Sequence, residues 1–334
     1  MELLFFANKA NQPLLDDFMS ELREIPGFSA SCWSHTELEF LADREPFAEI
    51  MENVRRKKCI VVGCMATDEL GSVNDHAMQT LVLLDALNHA GADIEALILP
   101  YSPYARQDRR KGRTTNRTAI TARLFAKFLT CAAPCPVCVV EPHTTYIEGF
   151  HDCLVDSIPV LHVFVEPVRR LLPDANKICV VSPDKGGVDR ASALATHLQT
   201  PNPTAFIDKR RTAPNQAKAL QVVGEIKGLD VVIVDDMIDT AGSLDEAVNI
   251  LLKAGAGRIV VCAVHGLFSG PAVERIQNSR AERVFITSSV AQKPAALACD
   301  KIQVIPIGGL LARAIHRLMA GESLRGLSPS KPRP

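Results

Sequence analysis

Short apolar runs alternate with longer amphipathic stretches along the chain. The runs are rich in valine and isoleucine, and most of the stretches between them have the spacing of a helix. Strands that are apolar at nearly every position are typical of a parallel sheet that is covered on both faces. The pattern therefore predicts an α/β fold, with strands at 60–62, 96–99, 137–140, 178–181, 231–234, 259–264, 284–287 and 303–305.

Two of the amphipathic stretches, at about 74–90 and 244–253, end in the same way. Each is followed by an Ala-Gly-Ala triplet and then by a strand, and glycine at that place permits a left-handed end cap. The repeated order indicates two similar α/β halves and an internal duplication. The apolar positions predicted to face inward are Met78, Leu81, Leu84 and Leu87 in the first helix and Ala247, Ile250 and Leu251 in the second.

The length of 334 residues is too great for one ordinary domain and sufficient for two. An even division predicts a first domain at 1–155 and a second at 156–327. The last residues, 328–334, are rich in proline and are expected to form a disordered tail.

Charge and composition exclude several classes of protein. There are 37 basic and 38 acidic residues, so the chain lacks the sustained basic surface of a general nucleic-acid or anionic-membrane binder. No apolar run reaches about 18 residues, so we expect no transmembrane helix, and the first residues lack the basic region of a signal peptide. Several of the ten cysteines lie within apolar runs, which fits a reducing, cytoplasmic compartment.

Three cysteines, Cys131, Cys135 and Cys138, have a spacing that is compatible with metal binding. Three thiols lack the fourth ligand of a structural zinc site, however. The favoured interpretation is a loop that contains proline and leads into the strand at 137–140.

The strongest chemical signal follows the strand at 231–234. Asp235 and Asp236 come directly after this buried strand, and a small-residue loop then opens a helix. Backbone N–H groups at such a helix start bind phosphate, and carboxylates beside it can hold sugar hydroxyls. A capping turn with solvated acids would explain Asp239 and Ser243, but not an acidic pair at the end of a buried strand. The segment 231–243 resembles the ribose-phosphate-binding loop of the phosphoribosyltransferase fold.

A basic segment follows the strand at 96–99. Positions 101 to 120 contain six basic residues and a single acidic one, Asp108. A loop of this composition can bind polyphosphate through charge-assisted hydrogen bonds. The alternative for a run of charges is a solvated face. The six are Arg106, Arg109, Arg110, Lys111, Arg113 and Arg117.

The string Tyr-Ala-Arg-Gln-Asp-Arg at 104–109 resembles the hallmark of the ribose-phosphate pyrophosphokinase family. Further strings resemble that family in the same order, at 73–75, 141–150, 181–187, 208–211, 265–272 and 321–323. The resemblance covers about residues 2–327, and the chain is identified as a divergent member of the family. No P-loop string is present in the sequence.

The resemblance implies two phosphoribosyltransferase-like domains, each a mainly parallel sheet flanked by helices. It also implies Mg²⁺-dependent transfer of the β,γ-pyrophosphoryl group of ATP to the 1-hydroxyl of ribose 5-phosphate, with AMP as the second product. A homo-oligomer built from dimers, as in a hexamer, is implied as well. The implied roles are catalysis by Lys209 and Arg211; nucleotide binding by Trp33, Glu37, Arg106, Gln107 and His143; ribose-phosphate binding by Asp235, Asp236, Asp239, Thr240, Ala241, Gly242 and Ser243; and metal binding by His143 and Asp184.

Several of these residues have a simpler interpretation. His143 is alternatively a hydrogen-bonded core histidine, and Asp184 is alternatively the cap of the turn before Gly186. Lys209 and Arg211 are alternatively ordinary loop charges. Trp33, the only tryptophan in the sequence, either stacks on a purine or packs in a core or interface.

The sequence departs from the family pattern around the nucleotide and regulatory regions. Cys32 to Glu37 stand where the family has Arg-Phe-Ser-Asp-Gly-Glu, so His35 replaces an acid; Glu141 replaces an aspartate, and 321–326 replaces a serine-rich ending. These departures leave open a different donor, a larger acceptor such as ADP-ribose, or a non-catalytic regulatory homologue. An ordinary phosphoribosyltransferase is disfavoured by the two-domain length and by the basic string.

Overall fold

The computed structural model describes residues 3–110, 117–210 and 219–328. All eight predicted strands are present within these ranges, with boundaries that differ by a few residues at most. The strands are β1 Leu3–Ala7, β2 Thr36–Phe40, β3 Pro46–Ile50, β4 Lys58–Val62, β5 Asp93–Leu99, β6 Val137–Val140, β7 Val155–Ile158, β8 Ile178–Ser182, β9 Ala205–Arg210, β10 Ala219–Val223, β11 Asp230–Ile238, β12 Ile259–Gly266, β13 Arg283–Thr287 and β14 Ile302–Ile305. The α-helices are α1 Gln12–Arg23, α2 Val73–His89, α3 Thr121–Ala132, α4 Val165–Leu171, α5 Val188–Leu198, α6 Gly242–Lys253, α7 Ala272–Asn278, α8 Pro294–Leu297 and α9 Gly308–Met319.

The first sheet is entirely parallel, with the strand order β1-β4-β5-β6-β7. Side chains of α2 and α3, including Leu84 and Phe125, pack with Val61 and Leu97 in one buried cluster on this sheet. The ring of Phe5 in β1 meets that of Phe18 in α1 edge to face, with centroids 6.2 Å apart. The strands β2 and β3 form a separate antiparallel hairpin.

The second sheet has the order β10-β9-β8-β11-β12-β13-β14. Every pair in it is parallel except β9 with β10. Its inner strands β8, β11, β12 and β13 are apolar and largely buried, as Val231 to Val234 illustrate, because helices cover the sheet. Both sheets therefore confirm the predicted α/β class.

The order β1-β4-β5-β6-β7 repeats as β8-β11-β12-β13-β14, which supports the predicted duplication. The helix ends repeat as well, since Gly91 and Gly255 have φ of 78° and 91°. The next residue, Ala92 or Ala256, donates its N–H back to Leu87 or Leu251, each time at 3.0 Å. Both helices thus end in the left-handed cap that glycine favours.

The inward faces of the two predicted helices need correction. Met78 is 48% exposed, whereas Leu83 is fully buried beside Leu84 and Leu87. In α6, Val248 is buried and Ile250 is only half-buried. The buried stripe of each helix is therefore rotated from the predicted one, because the sheet, and not hydrophobicity alone, decides which side faces inward.

The chain divides into two compact units. Unit 1 comprises Met1–Pro159, Ser289–Ala291 and Pro306–Leu327, and unit 2 comprises Val160–Ser288, Gln292–Ile305 and Ser328–Pro334. The predicted division at residue 155 assigned 306–327 to the second domain, whereas α9 belongs to unit 1 by contact. The physical reason lies at Gly308, whose N–H donates to Asp17 Oδ2 at 2.8 Å; an added Cβ there would lie 2.4 Å from the backbone nitrogen of Phe18. The tail residues from 329 onward lie outside the described ranges.

Candidate functional site

The candidate ribose-phosphate site lies at the carboxyl edge of the second sheet. Asp235 pairs in register with Ala263 of β12, and Ile233 pairs with Val181 of β8. The ends of β8, β11 and β12 therefore lie side by side, because parallel strands end at a common edge. Open α/β sheets bind ligands at this edge.

The acidic pair predicted from the sequence lies at this edge. The side chain of Asp235 is 36% exposed and that of Asp236 is 5% exposed. The Asp236 N–H donates to Asp235 Oδ1 at 2.9 Å. Arg190 of α5 contacts both acids, with its Nη1 3.9 Å from Asp235 Oδ1 and 3.6 Å from Asp236 Oδ1.

Burial is the main cause that raises the pKa of Asp235 well above its ordinary value, and the charge of Asp236 adds to it. Arg190 acts in the opposite direction, because a positive charge favours the ionised carboxyl. The guanidinium of Arg190 therefore opposes the effects of burial and of Asp236 on this carboxyl.

The segment that follows turns the chain into α6. Ala241 has φ of 57° and stands at the N-cap position, and no side chain caps the helix. The Thr240 carbonyl accepts a hydrogen bond from Arg275 Nη1 at 2.8 Å, which fixes the turn. The first N–H groups of α6, from Gly242 and Ser243, are consequently available to an anion. Asp239 is half-buried at the start of the same turn.

Asp184 follows β8 at the same edge. Its Oδ1 accepts from the N–H groups of Gly186 and Gly187 at 2.8 and 3.3 Å, so it caps the turn, as the simpler interpretation expected. A carboxylate has about four lone-pair sites, so capping does not exclude a further ligand. Next to it, Lys185 Nζ lies 3.5 Å from the buried Asp208 of β9.

The two predicted catalytic residues follow Asp208. Lys209 is in β9, where its backbone pairs with that of Leu220. Arg211 lies outside the described residues. Their predicted roles stay predictions.

In unit 1, the segment that follows β5 carries the predicted nucleotide-binding residues. Tyr104 has φ of 60°, and its hydroxyl donates to Asn74 Oδ1 at 2.5 Å, so the segment is tied to the first turn of α2. Arg106 and Gln107 are exposed beyond this anchor. Lys111 and Arg113 lie outside the described residues.

His143 follows β6 in the same unit. It is half-buried and lines a small cavity together with Ser102, Phe125, Thr144 and His151. Burial lowers the pKa of His151, which disfavours its protonated form. The end of β5 and the end of β6 thus contribute to one pocket in unit 1.

Trp33 and Glu37 lie at the base and on the first strand of the β2–β3 hairpin. The Trp33 ring packs against Phe18, with centroids 5.7 Å apart, so part of its surface is used for packing. It remains half-exposed, and Glu37 is exposed. A stacking role for Trp33 therefore stays a prediction beside an observed packing role.

The cysteine cluster has the structure of the simpler interpretation. Cys131 is exposed on α3. Cys135 is buried just before β6, and Cys138 is buried within it. Burial raises the pKa of both buried thiols to about 12, which keeps them protonated and poor metal ligands. Among the described residues, no group of three or more histidine, cysteine and acidic side chains is arranged to hold a metal ion.

Sequence reasoning missed Arg190, Lys185 and Arg275. Each contacts a predicted site residue or its neighbour. Arg190 and Arg275 stand outside the family-like strings, and Lys185 lies within the string at 181–187 but was given no role there. Their roles depend on pairing between residues 23 to 46 positions apart in the chain, as with Lys185 and Asp208 or Arg190 and Asp236. In the part of the chain that the structure describes, no helix is both long and apolar enough to cross a bilayer.

Two related α/β units, with an acidic strand end and an open helix start in the second, define a protein of the phosphoribosyltransferase-like class. Comparison with known families is more specific. Residues 3–132 match the N-terminal domain of ribose phosphate pyrophosphokinase, and residues 179–328 match the phosphoribosyl synthetase-associated domain. The chain belongs to the ribose-phosphate pyrophosphokinase family.

Individual relatives agree over nearly the whole length. A ribose-phosphate pyrophosphokinase of Xanthomonas campestris pv. campestris is 36% identical over 327 residues, which is 97% of each chain. The enzyme of the same name from Bacillus subtilis is 36% identical over 311 residues, or 92% of each chain. The crystal structure of phosphoribosylpyrophosphate synthetase from Mycobacterium smegmatis superimposes with a TM-score of 0.84 at 32% identity, covering 96% of this chain and 100% of that one.

Proposed function

We propose that the protein transfers the β,γ-pyrophosphoryl group of ATP to the 1-hydroxyl of ribose 5-phosphate, which yields phosphoribosyl pyrophosphate and AMP. The observation that carries the proposal is the segment 235–243, where an acidic pair ends a buried strand directly before an uncapped helix start. This arrangement offers acceptors for sugar hydroxyls next to donors for a phosphate. Family membership supports the same reaction.

Within this segment the roles divide by chemistry. Asp235 and Asp236 accept hydrogen bonds from the ribose hydroxyls, since ionised carboxylates are acceptors only. The Thr240 and Ser243 hydroxyls and the amide of Gly242 donate to the 5-phosphate at the positive end of α6. Ala241 turns the backbone so that these donors converge, and Asp239 completes the turn.

The donor nucleotide is bound by residues of unit 1 in this proposal. Arg106 and Gln107 are exposed and able to reach phosphate oxygens, and His143 lies at the end of the neighbouring strand β6. The half-exposed face of Trp33 offers an aromatic surface to a purine, with Glu37 as a hydrogen-bond acceptor. Lys209 and Arg211 stabilise the charge on the transferred group, where a positive charge is most effective in the transition state.

Magnesium is the metal that the reaction implies. Mg²⁺ commonly binds substrate phosphates together with one or two carboxylates, and Asp184 provides such a carboxylate at the same edge as the acidic pair. Asp184 therefore fits a magnesium ion held chiefly by the substrates, and the metal role of His143, which lies in unit 1, stays a prediction. The ion supplies neutralisation of phosphate charge when it is bound.

A single assay tests the proposed reaction. Purified protein is incubated with Mg²⁺, ATP and ribose 5-phosphate, and AMP and phosphoribosyl pyrophosphate are quantified. The expected result is equal amounts of both products. ADP-ribose in place of ribose 5-phosphate, and other nucleoside triphosphates in place of ATP, test the narrower question of donor and acceptor. Absence of AMP with every donor would refute the proposal and favour a non-catalytic homologue.

We also propose a homo-oligomer built from dimers that functions in a reducing, cytoplasmic compartment. The support is the family resemblance for the oligomer, and the burial of thiols such as Cys59, Cys179 and Cys262 for the compartment. Light scattering coupled to size-exclusion chromatography tests the first statement: a monomeric mass at micromolar concentration would contradict it.

A further inference from the structure

Arg190 is a largely buried cation beside the acidic pair. It lies in the first turn of α5, its side chain is 12% exposed, and one nitrogen, Nη1, lies within 4 Å of both carboxylates. The resemblance to the family attached no role to it. Its position makes it the natural counter-charge of Asp235 and Asp236.

Two adjacent carboxylates in a partly buried place oppose each other's ionisation. A protonated carboxyl loses acceptor capacity, whereas sugar hydroxyls require acceptors. Arginine remains charged at any working pH, and its rigid, planar fork constrains the groups that it contacts. A cation at this position therefore favours the ionised forms of the pair and constrains their orientation.

The turn before α5 leaves room for this contact. A Cβ on Gly187 would lie 2.6 Å from Ser182 Oγ and 3.5 Å from Arg190 Nη1. The Ser182 hydroxyl donates to the Asp184 carbonyl at 2.6 Å. Glycine at 187 thus permits the tight turn that brings the start of α5, and with it the guanidinium, against the end of β11.

We propose that Arg190 is a positioning residue for the sugar acceptor: it favours the ionised forms of the Asp235 and Asp236 carboxylates and orients them toward the hydroxyls of ribose 5-phosphate. The inference rests on the proposed function. Its role is specific to the sugar, so the binding of the nucleotide does not depend on it.

Other charged and titratable groups at this edge set the background for a pH experiment. The charged groups that interact directly with the Asp235 carboxyl are Asp236 and Arg190. The groups on neighbouring elements are Asp184 and Lys185 before α5, Asp208 on β9, and His265 on β12. All of these groups remain in place when Arg190 alone is replaced. A change in the low-pH side of the pH profile of kcat/KM, its acid limb, therefore reports on the Asp235–Asp236 pair.

The test compares Arg190→Gln and Arg190→Lys with the unchanged protein. Initial rates are measured over pH 6–9 with ribose 5-phosphate and with ATP varied separately. In the Gln variant we expect the acid limb of kcat/KM for ribose 5-phosphate to move up by about one pH unit, and KM for the sugar at pH 7 to rise about tenfold. KM for ATP is expected to stay within about twofold of its original value. For KM of ribose 5-phosphate and for the acid limb, the Lys variant is expected to lie between the unchanged protein and the Gln variant. Arg170→Gln, an exposed arginine paired with Glu166 in the same unit, is the matched control.

The outcomes separate this inference from the proposed function. If the unchanged protein makes no AMP from ATP and ribose 5-phosphate, the proposed function itself fails. If it is active and Arg190→Gln retains both its sugar KM and its acid limb, or loses affinity equally for both substrates, the positioning role is wrong. Should the Gln variant not fold, as judged by circular dichroism, the Lys variant decides. A rise in KM confined to ribose 5-phosphate supports the role, and an unchanged or shared KM overturns it.

Discussion

The two connections that link a central strand to its following helix occupy the same place in the two sheets. The first connection, residues 63–72, joins β4 to α2, and the second connection, residues 239–241, joins β11 to α6. Both lead into a helix start near a Gly-Ser pair, Gly71-Ser72 in one and Gly242-Ser243 in the other. They differ in what satisfies the backbone N–H groups there.

In the first connection, side chains of the same segment and of the start of α2 accept hydrogen bonds from the backbone N–H groups. Asp68 Oδ1 accepts from two backbone amides and from His76 Nε2, Thr67 accepts from another amide, and Ser72 and Asp75 form a reciprocal capping box. The amides with such partners are those of Leu70, Gly71, Ser72, Val73 and Asp75. No side chain caps α6 after the second connection. An anion would therefore meet carboxylates at the first helix start and open N–H groups at the second, so only the second helix start is suited to the proposed phosphate binding.

The largest expected effect separates the acid pair at the end of β11, directly before the second connection, from the acids of the first connection. Asp236→Asn removes one charge from the pair that is proposed to bind the sugar. We expect kcat/KM for ribose 5-phosphate to fall about a hundredfold, because the substitution breaks a buried charge pair with Arg190. Steady-state kinetics measure the loss, and thermal melting confirms that the variant is folded. A fall of less than about threefold would show that the sugar site does not use this acid.

The matching change in the first connection is Asp68→Asn. It weakens the contact of 2.7 Å to the buried His76, so we expect the free energy of unfolding to fall by about 1–2 kcal/mol. Urea denaturation measures this change. Because the first connection is structural, kcat and both KM values should stay within about twofold of their original values. A selective loss of substrate affinity would contradict the comparison.

The two serines offer a smaller, reciprocal test. Ser72→Ala removes a helix cap and is expected to lower the free energy of unfolding by about 1 kcal/mol without a kinetic effect. Ser243→Ala removes a donor to phosphate and is expected to raise KM for ribose 5-phosphate about fivefold, while stability changes by less than about 0.5 kcal/mol. Each variant serves as the control for the other. The comparison fails if the two effects are exchanged.

The smallest effect is a pH dependence at the first helix start. Hydrogen bonds from the Ser72 backbone and side chain lower the pKa of Asp75 below its usual range. A carboxyl with a lowered pKa in the folded state stabilises the protein above its unfolded pKa, and this contribution is lost as the pH falls through the lowered value. Asp75→Asn should therefore cost about 0.5 kcal/mol at pH 7 and less below about pH 4. Unfolding curves at both pH values test this, and a pH-independent difference would contradict the assignment.

The sequence alone determined the class of fold and the position of the candidate binding segment. Apolar runs such as Val231 to Val234 can be satisfied only by burial on both faces, so their alternation with helices was enough to predict a parallel sheet. The acidic pair and the small residues that follow are contiguous, and the glycines at 91 and 255 act locally on φ. Features that depend only on residues close together in the chain can be predicted from the sequence.

Tertiary structure decided what depends on distant residues. The pairing of Arg190 with Asp236, the contact of Lys185 with Asp208, and the packing of α9 on α1 through Gly308 each join segments whose separation follows no local period. The same is true of the contrast between the two connections. In the sequence, Asp68 and Asp75 cannot be distinguished from other acidic residues. The fold shows which backbone amides donate to them, because a hydrogen bond is defined by distance and direction in space.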